Sequence, residues 1–456
     1  MTTDGTTALV SSTTTTSSAE GATVRRAAAA SFIGNFIEWF DYATYSYLAV
    51  VIGQVFFPSS DKTVETMSAF GVFAMSFLLR PVGAVVWGAW GDRFGRRWAL
   101  SWSILIMSGS TFLIAFLPGY STLGMGAALL LLLLRLTQGF SASGEYAGAG
   151  TFLAEYAPPS RRGLYTSMVP ASTATGLLAG SSLVALLHAL LDDASMASWG
   201  WRIPFLLAGP LGLIGRYIRV HLEDSPAFQE MQAQLEEKSG PQQSTPVLDL
   251  LRYHGRTVGI AFGVSCLNAV GFYLLLTYMP TYLQEEVHIG KSTSNLLTSV
   301  MLIAYIVSIF IMGHFSDTVG RRKMLMGASV AFIVFSVPLF WLMDSGSIVG
   351  ILVCEVLFAI VLTANDGTLA TFLAESFPTE VRYSGFALSF NTANALLGGT
   401  ASLVATFLIS KTGSPLAPAI YLSVVALAAL GAMIAAPEHS DADLTAYTQE
   451  SADAQP

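Results

Sequence analysis

Apolar runs as long as a bilayer is thick recur between residues 27 and 436, and they leave this chain few ways to fold. Packed into a soluble domain, such runs would need a polar coat, and the chain cannot supply one. Charged residues are 11% of the 456, against roughly 25% in soluble proteins, while 53% are apolar. The mean hydropathy of +0.58 agrees. Because the runs are continuous rather than alternating, a transmembrane barrel is excluded. A net charge of −8 excludes a basic nucleic-acid binder. The composition defines an all-α integral membrane protein that crosses the bilayer many times.

Three polar stretches interrupt the pattern. Twelve of the first twenty residues are Ser or Thr, with no apolar core of a signal peptide, so 1–26 reads as a disordered cytoplasmic tail. Residues 223–253 read as a central cytoplasmic loop and 437–456 as an acidic tail. At roughly 20–25 residues per tilted span, the remainder fits twelve helices. They are expected at 27–51, 66–90, 98–117, 122–155, 163–190 and 202–222, then 254–284, 293–314, 324–342, 347–376, 384–410 and 416–436. This gives an N-terminal six-helix bundle over 27–222 and a C-terminal one over 254–436. Lys and Arg set the orientation. With the termini inside, sixteen of the 22 basic residues are cytoplasmic and only Lys62, Lys291 and Lys411 are external. The protein is expected in the cell membrane, both termini cytoplasmic.

The chain also repeats itself. Gly88-Ala-Trp-Gly-Asp92-Arg-Phe-Gly95-Arg96-Arg97 follows span 2, and Gly313-His-Phe-Ser-Asp317-Thr-Val-Gly320-Arg321-Arg322 follows span 8, with identical spacing 225 residues apart. Thr151-Phe-Leu-Ala-Glu155 ends span 4 and Thr371-Phe-Leu-Ala-Glu375 ends span 10. Each is followed by a proline and by arginine, Arg161 and Arg162 in one case and Arg382 in the other. Two matches in the same order at nearly the same offset indicate a duplicated six-helix unit, the parallel repeat of a transporter.

These paired loops resemble the major facilitator superfamily. Further segments are similar to its metabolite:proton symporter branch: Gly34-Asn-Phe-Ile-Glu38-Trp-Phe-Asp41-Tyr, Leu79-Arg80-Pro81-Val-Gly83, Arg135-Leu-Thr-Gln138-Gly139, Gly144-Glu145-Tyr146 and Trp199-Gly-Trp-Arg202-Ile-Pro204-Phe. The resemblance covers about residues 27–436. Leu274-Leu-Leu-Thr-Tyr278-Met-Pro280 is most like the proline/betaine carriers, although the C-terminal tail lacks the heptads of osmosensory members. The resemblance implies proton-coupled import of a small carboxylate-bearing solute by alternating access. A proline- or betaine-type zwitterion is the first expectation and an organic acid such as α-ketoglutarate, citrate or shikimate the alternative. A monomer with no cofactor is expected, its partners being solute, proton and lipid.

Charges at mid-membrane are costly and mark candidate sites. Asn35, Glu38, Asp41, Tyr42 and Tyr45 share one face of span 1. At about 1.5 Å per residue, Glu38, Asp41, Arg80 and Arg135 all lie roughly 16–21 Å deep. Asp41, Glu38 and Glu145 are the candidate proton carriers. Arg80, Arg135 and Gln138 are candidate contacts for a substrate carboxylate, and Trp39, Tyr42 and Tyr45 for a quaternary ammonium. The second half offers Glu355 and Asp366 on span 10, Asn268 on span 7, and Asn391 and Asn394 on span 11, but no buried base. Of these, Asn268, Asp366, Asn391 and Asn394 are candidate substrate contacts, against the alternative that the amides only tie helices together. Asp92, Arg96, Arg97, Glu155, Arg161, Arg162, Asp317, Arg321, Arg322, Glu375 and Arg382 are expected to form an inner gate lock, each aspartate accepting from the following helix or pairing with arginine. Arg202 belongs to the outer edge. No phosphate loop, metal-binding His/Cys pattern or nucleophile elbow occurs, so neither an ATP-driven pump nor an enzyme is expected. A transporter-like sensor is a remote second reading. Cys266 and Cys354 lie in apolar runs and read as packing.

Overall fold

The computed structural model describes residues 6–237, 246–437 and 444. Among the described residues, ten helices are long and apolar enough to cross a membrane: Met67–Phe94, Met125–Tyr156, Pro159–Leu190, Asp193–Val220, Gly255–Glu285, Ser292–Val319, Arg321–Met343, Ile348–Glu375, Arg382–Thr412 and Ala417–Ile434. Two more, Thr6–Tyr47 and Arg96–Ile114, pack among them as the first and third spans and bring the number to twelve. Both are less apolar for visible reasons. Span 1 carries Asn35, Glu38 and Asp41, and span 3 carries Arg96, Arg97 and a stripe of buried hydroxyls from Ser101 to Thr111.

The spans are interrupted at several points, one of them where the sequence removes a backbone donor. Span 2 breaks at Leu79, where Pro81 sits in the first turn of the new helix and has no N–H to give. Span 4 breaks at Ser143-Gly144. Spans 7 and 11 contain π-helical turns at Tyr273–Tyr278 and Asn394–Gly398, wide turns that recur at functional sites.

Two polar stretches differ from expectation. The first helix runs unbroken from Thr6 across the boundary expected at residue 26. Once span 1 nucleates a helix, each added residue gains a hydrogen bond, so the low propensity of the Ser/Thr run does not stop it there. The central segment holds two helices, Pro226–Glu237 and Pro246–Tyr253, each opened by a proline at its first position. The expected acidic tail lies outside the described residues beyond Pro437 except for Leu444.

The cores explain how the halves meet. One apolar cluster fills the second half, another the outer end of the first. A third runs across the inner end and joins Trp87, Tyr146 and Phe152 of the first half to Phe372, Tyr383 and Phe386 of the second. That cluster closes the inner end. Cys266 and Cys354 are free and buried, as packing requires.

Candidate functional site

The duplicated loops build one lock from two equivalent parts. Asp92 does not cap the helix that follows it. Its carboxylate accepts from the backbone N–H of Tyr383 (3.1 Å) and Ser384 (2.8 Å), the free end of span 11 in the other half. Asp317 does the same to span 5, accepting from Gly163 (2.7 Å) and Leu164 (3.0 Å). This corrects the expectation of a local cap: the following helix begins at a glycine with positive φ, Gly95 or Gly320, which turns the chain away. The first glycine of each loop serves the same contact. A Cβ on Gly88 would lie 2.7 Å from Cα of Ser384, and one on Gly313 would lie 2.7 Å from the carbonyl of Gly163.

Ion pairs reinforce both caps. Arg96 pairs with Asp92 (3.2 Å) and Glu155 (3.3 Å), and Glu155 is held across the interface by Arg382 (2.6 Å). Arg321 pairs with Asp317 (2.9 Å) and Glu375 (3.2 Å), and Glu375 is held by Arg162 (2.7 Å). Three expected members lie elsewhere. Arg97 donates to the carbonyl of Leu222 (2.8 Å), and Arg322 to those of Met433 (3.1 Å) and Ile434 (2.9 Å), so each closes the end of the last span of its own half. Arg161 is exposed. The loop after span 6 adds Asp224, which caps span 3 through the N–H of Arg96 (3.1 Å). Burial pushes the Asp224 carboxyl up, opposed by the Ser225 N–H and the Arg96 guanidinium.

Deeper in the first half, each central arginine is already engaged. Arg80 donates to Glu38 (2.6 Å) and to the hydroxyl of Tyr42 (2.6 Å), with its guanidinium over Phe77. Arg135 donates to Asp41 (2.6 Å) and lies 3.7 Å above the Tyr45 ring. Gln138 binds Thr111, and Tyr45 donates to the carbonyl of Ala69 (3.0 Å). Glu38 and Asp41 each keep one oxygen without a donor. Glu145 is not part of this group. It pairs with Arg219 of span 6 and accepts from Ser103 (3.1 Å), tucked against Gly34, where a side chain would collide with both. Arg219 reads in the sequence as one more cytoplasmic charge; the missed signal is that Glu145 otherwise has no base.

The described cavity lies between the halves and is lined by Trp39, Tyr146, Pro170 and Thr173 from one and Asn268, Phe272, Tyr305, Asp366, Phe390 and Asn394 from the other. The free space between these atoms is about 20 Å³, room for little more than a water, so the halves are drawn in around it. Of the expected substrate residues, Trp39, Asn268, Asp366 and Asn394 line it. Arg80, Arg135, Gln138, Tyr42 and Tyr45 do not, because their polar groups are spent within the first half. Asn391 ties spans instead, donating to the carbonyl of Ser143 (2.8 Å). Arg202 sits at the outer edge, donating to Ala115 (2.9 Å) and Leu117 (3.2 Å). Tyr146, Phe272, Tyr305 and Phe390 escaped the sequence reading, since an aromatic in an apolar run carries no mark of facing a cavity.

Twelve spans in two similar halves, a lock at one end and a cavity between them define a membrane transporter. The family model of the Major Facilitator Superfamily matches residues 31–393 and 260–452, and the chain belongs to that family. It is 38% identical over 407 residues to the glycine betaine/proline/ectoine/pipecolic acid transporter OusA of Dickeya dadantii, covering 88% of this chain and 81% of that one. It is 36% identical over 432 residues to the proline/betaine transporter of Escherichia coli, covering 93% and 86%. The proton:xylose symporter XylE, solved with 6-bromo-6-deoxy-D-glucose, superposes with a TM-score of 0.78 at 16% identity, over 93% of this chain and 98% of that one. The protein is a multi-pass transporter of the cell membrane that acts on a small molecule, not an enzyme.

Proposed function

We propose that this chain is a proton-coupled symporter importing a small zwitterion of the proline or betaine type. It works as a monomer by alternating access of two bundles, 27–222 and 254–436, with both termini in the cytoplasm. The names of its relatives support the substrate class. The observation that carries the coupling is the buried pairing of Arg135 with Asp41 and of Arg80 with Glu38. A buried pair is neutral as a whole and becomes costly when its base withdraws, unless the acid takes up a proton. Each acid presents one oxygen free to do so. A rearrangement of spans 1, 2 and 4 within the first half that pulls an arginine away therefore binds a proton, and its return releases one. Asp41 is the first candidate and Glu38 the second. An organic acid is less well served, since both arginines that would receive it are engaged.

The inner lock holds the outward-open side of the cycle. Its parts are individually modest, a capping interaction contributing about 0.5–2 kcal/mol, which suits a contact made and broken in every turnover. The test uses the chain reconstituted in vesicles. Asp41→Asn is expected to lose uphill accumulation driven by a pH gradient while retaining exchange of labelled betaine between the two sides. If Asp41→Asn and Glu38→Gln both still accumulate betaine at an unchanged proton:solute ratio, the coupling site is elsewhere. A wild-type protein that moves no solute at all would instead support a sensor.

A further inference from the structure

The cavity contains one charge, and nothing in the first half answers it. Asp366 is fully buried on span 10. Its oxygens accept from Asn268 (2.7 Å), Asn365 (3.0 Å) and Tyr305 (2.6 Å), all neutral donors. Among the described residues no Lys, Arg or His pairs with it, whereas Glu38, Asp41 and Glu145 each have an arginine. Three donors replace part of the water the carboxylate gave up, but they bring no counter-charge. Around it stand rings. Phe272 packs 5.0 Å from Trp39 and 6.4 Å from Tyr305, and Phe390 stacks on Tyr146 at 4.2 Å. A carboxylate walled by aromatic faces is the setting that a desolvated onium group prefers, because the ring faces are negative and the methyl groups need no hydrogen bonds.

Two further groups point to the other end of the ligand. The indole N–H of Trp39 and the hydroxyl of Tyr146 line the same cavity, are each more than nine-tenths buried, and have no hydrogen-bond partner. Buried donors are seldom left unpaired, and two at one cavity mark the place of an absent acceptor. Building on the proposed zwitterion import, we infer that the cavity divides its substrate. Asp366 with Phe272, Tyr305 and Phe390 takes the ammonium, and Trp39 Nε1 with the Tyr146 hydroxyl takes the carboxylate. No arginine is needed to bind the anionic end. A solute with only carboxylates is rejected, because it brings negative charge to Asp366.

Binding to the full chain in lipid nanodiscs tests this with three probes: glycine betaine, tetramethylammonium and succinate. The wild type is expected to bind the first two and not the third. Asp366→Asn removes the charge but keeps the shape, and should weaken both ammonium-bearing probes by at least about tenfold. Tyr146→Phe removes a donor and keeps the ring, so betaine should weaken several-fold while tetramethylammonium stays unchanged. Phe390→Leu should weaken both and serves as the decisive variant should Asp366→Asn not fold. Betaine bound as tightly by Asp366→Asn as by the wild type overturns the division while leaving zwitterion import standing. Equal losses of both probes in Tyr146→Phe overturn the assignment of the carboxylate end. Wild-type binding of succinate but of neither ammonium-bearing probe overturns the import reading itself.

Discussion

The first half of the molecule carries three arginine–carboxylate pairs in its interior, at Glu38, Asp41 and Glu145. Away from the inner end the second half carries, among the described residues, two buried acids, Glu355 and Asp366, and no base; Glu355 is fully buried with neither oxygen hydrogen-bonded. Yet at the inner end the halves match residue for residue, Asp92 with Asp317, Arg96 with Arg321, Glu155 with Glu375, Arg382 with Arg162. Duplication gave both halves the same parts. The lock kept them because it needs two equivalent contacts across one interface. The interior diverged: paired charges fill one half, and unpaired acids the other.

The sharpest way to break this contrast is to strip a base from the first half. Arg135→Gln leaves Asp41 buried beside a neutral side chain, expected to cost about 3–5 kcal/mol and to show as a large drop in thermal midpoint. The double change Asp41→Asn with Arg135→Gln should recover most of it. A double variant no more stable than Arg135→Gln alone would show that the pair is not the source.

The lock should give a smaller and symmetric response. Asp92→Asn and Asp317→Asn each weaken one cross-half cap, expected to shift the closed state by about 1–2 kcal/mol. Thiol labelling of a cysteine placed on the inner face should quicken alike in both, while betaine affinity changes little. Unequal responses would show that one arm carries the closure.

Reading these contacts from the sequence alone succeeds for the repeat and fails for the direction. The loop spacing identifies Asp92 and Asp317, Gly88 and Gly313, and the arginines, since the same pattern recurs 225 residues apart. It does not say which helix end each aspartate meets, because that depends on how the halves dock, a contact 291 residues away in the chain for Asp92 and Tyr383. Periodicity places Glu38, Asp41, Arg80 and Arg135 at one depth, but not who pairs with whom. The cavity rings were illegible, as Phe272 and Phe390 differ from packing aromatics only in what lies opposite them.

Two milder changes refine the comparison further. Glu355→Gln removes an acid that has neither a base nor a donor, and its thermal midpoint should change by less than about 1 kcal/mol equivalent. The same substitution at Glu38 should cost more, since it strands Arg80. Equal losses would mean the second half conceals a partner for Glu355. Arg97→Ala and Arg322→Ala release carbonyls within their own halves, an effect of about 0.5–1 kcal/mol on stability. Neither should alter the labelling rate of the inner face, and a change there would return both arginines to the lock.

Glu155 and Glu375 are each gripped twice, once by an arginine of their own half and once from the other. As the inner end parts, Arg382 and Arg162 leave, but Arg96 and Arg321 stay. No carboxylate crosses the parting stage as a bare ion. The arginines that leave are met by water entering the gap, and their backbone contacts to Phe377 and Ala154 travel with them. The activation barrier for opening therefore contains little of the desolvation that makes buried ion pairs slow to break. If these contacts are the proposed gate, it can be strongly charged and still cycle quickly, and its opening rate should depend only weakly on ionic strength until the gap is wet.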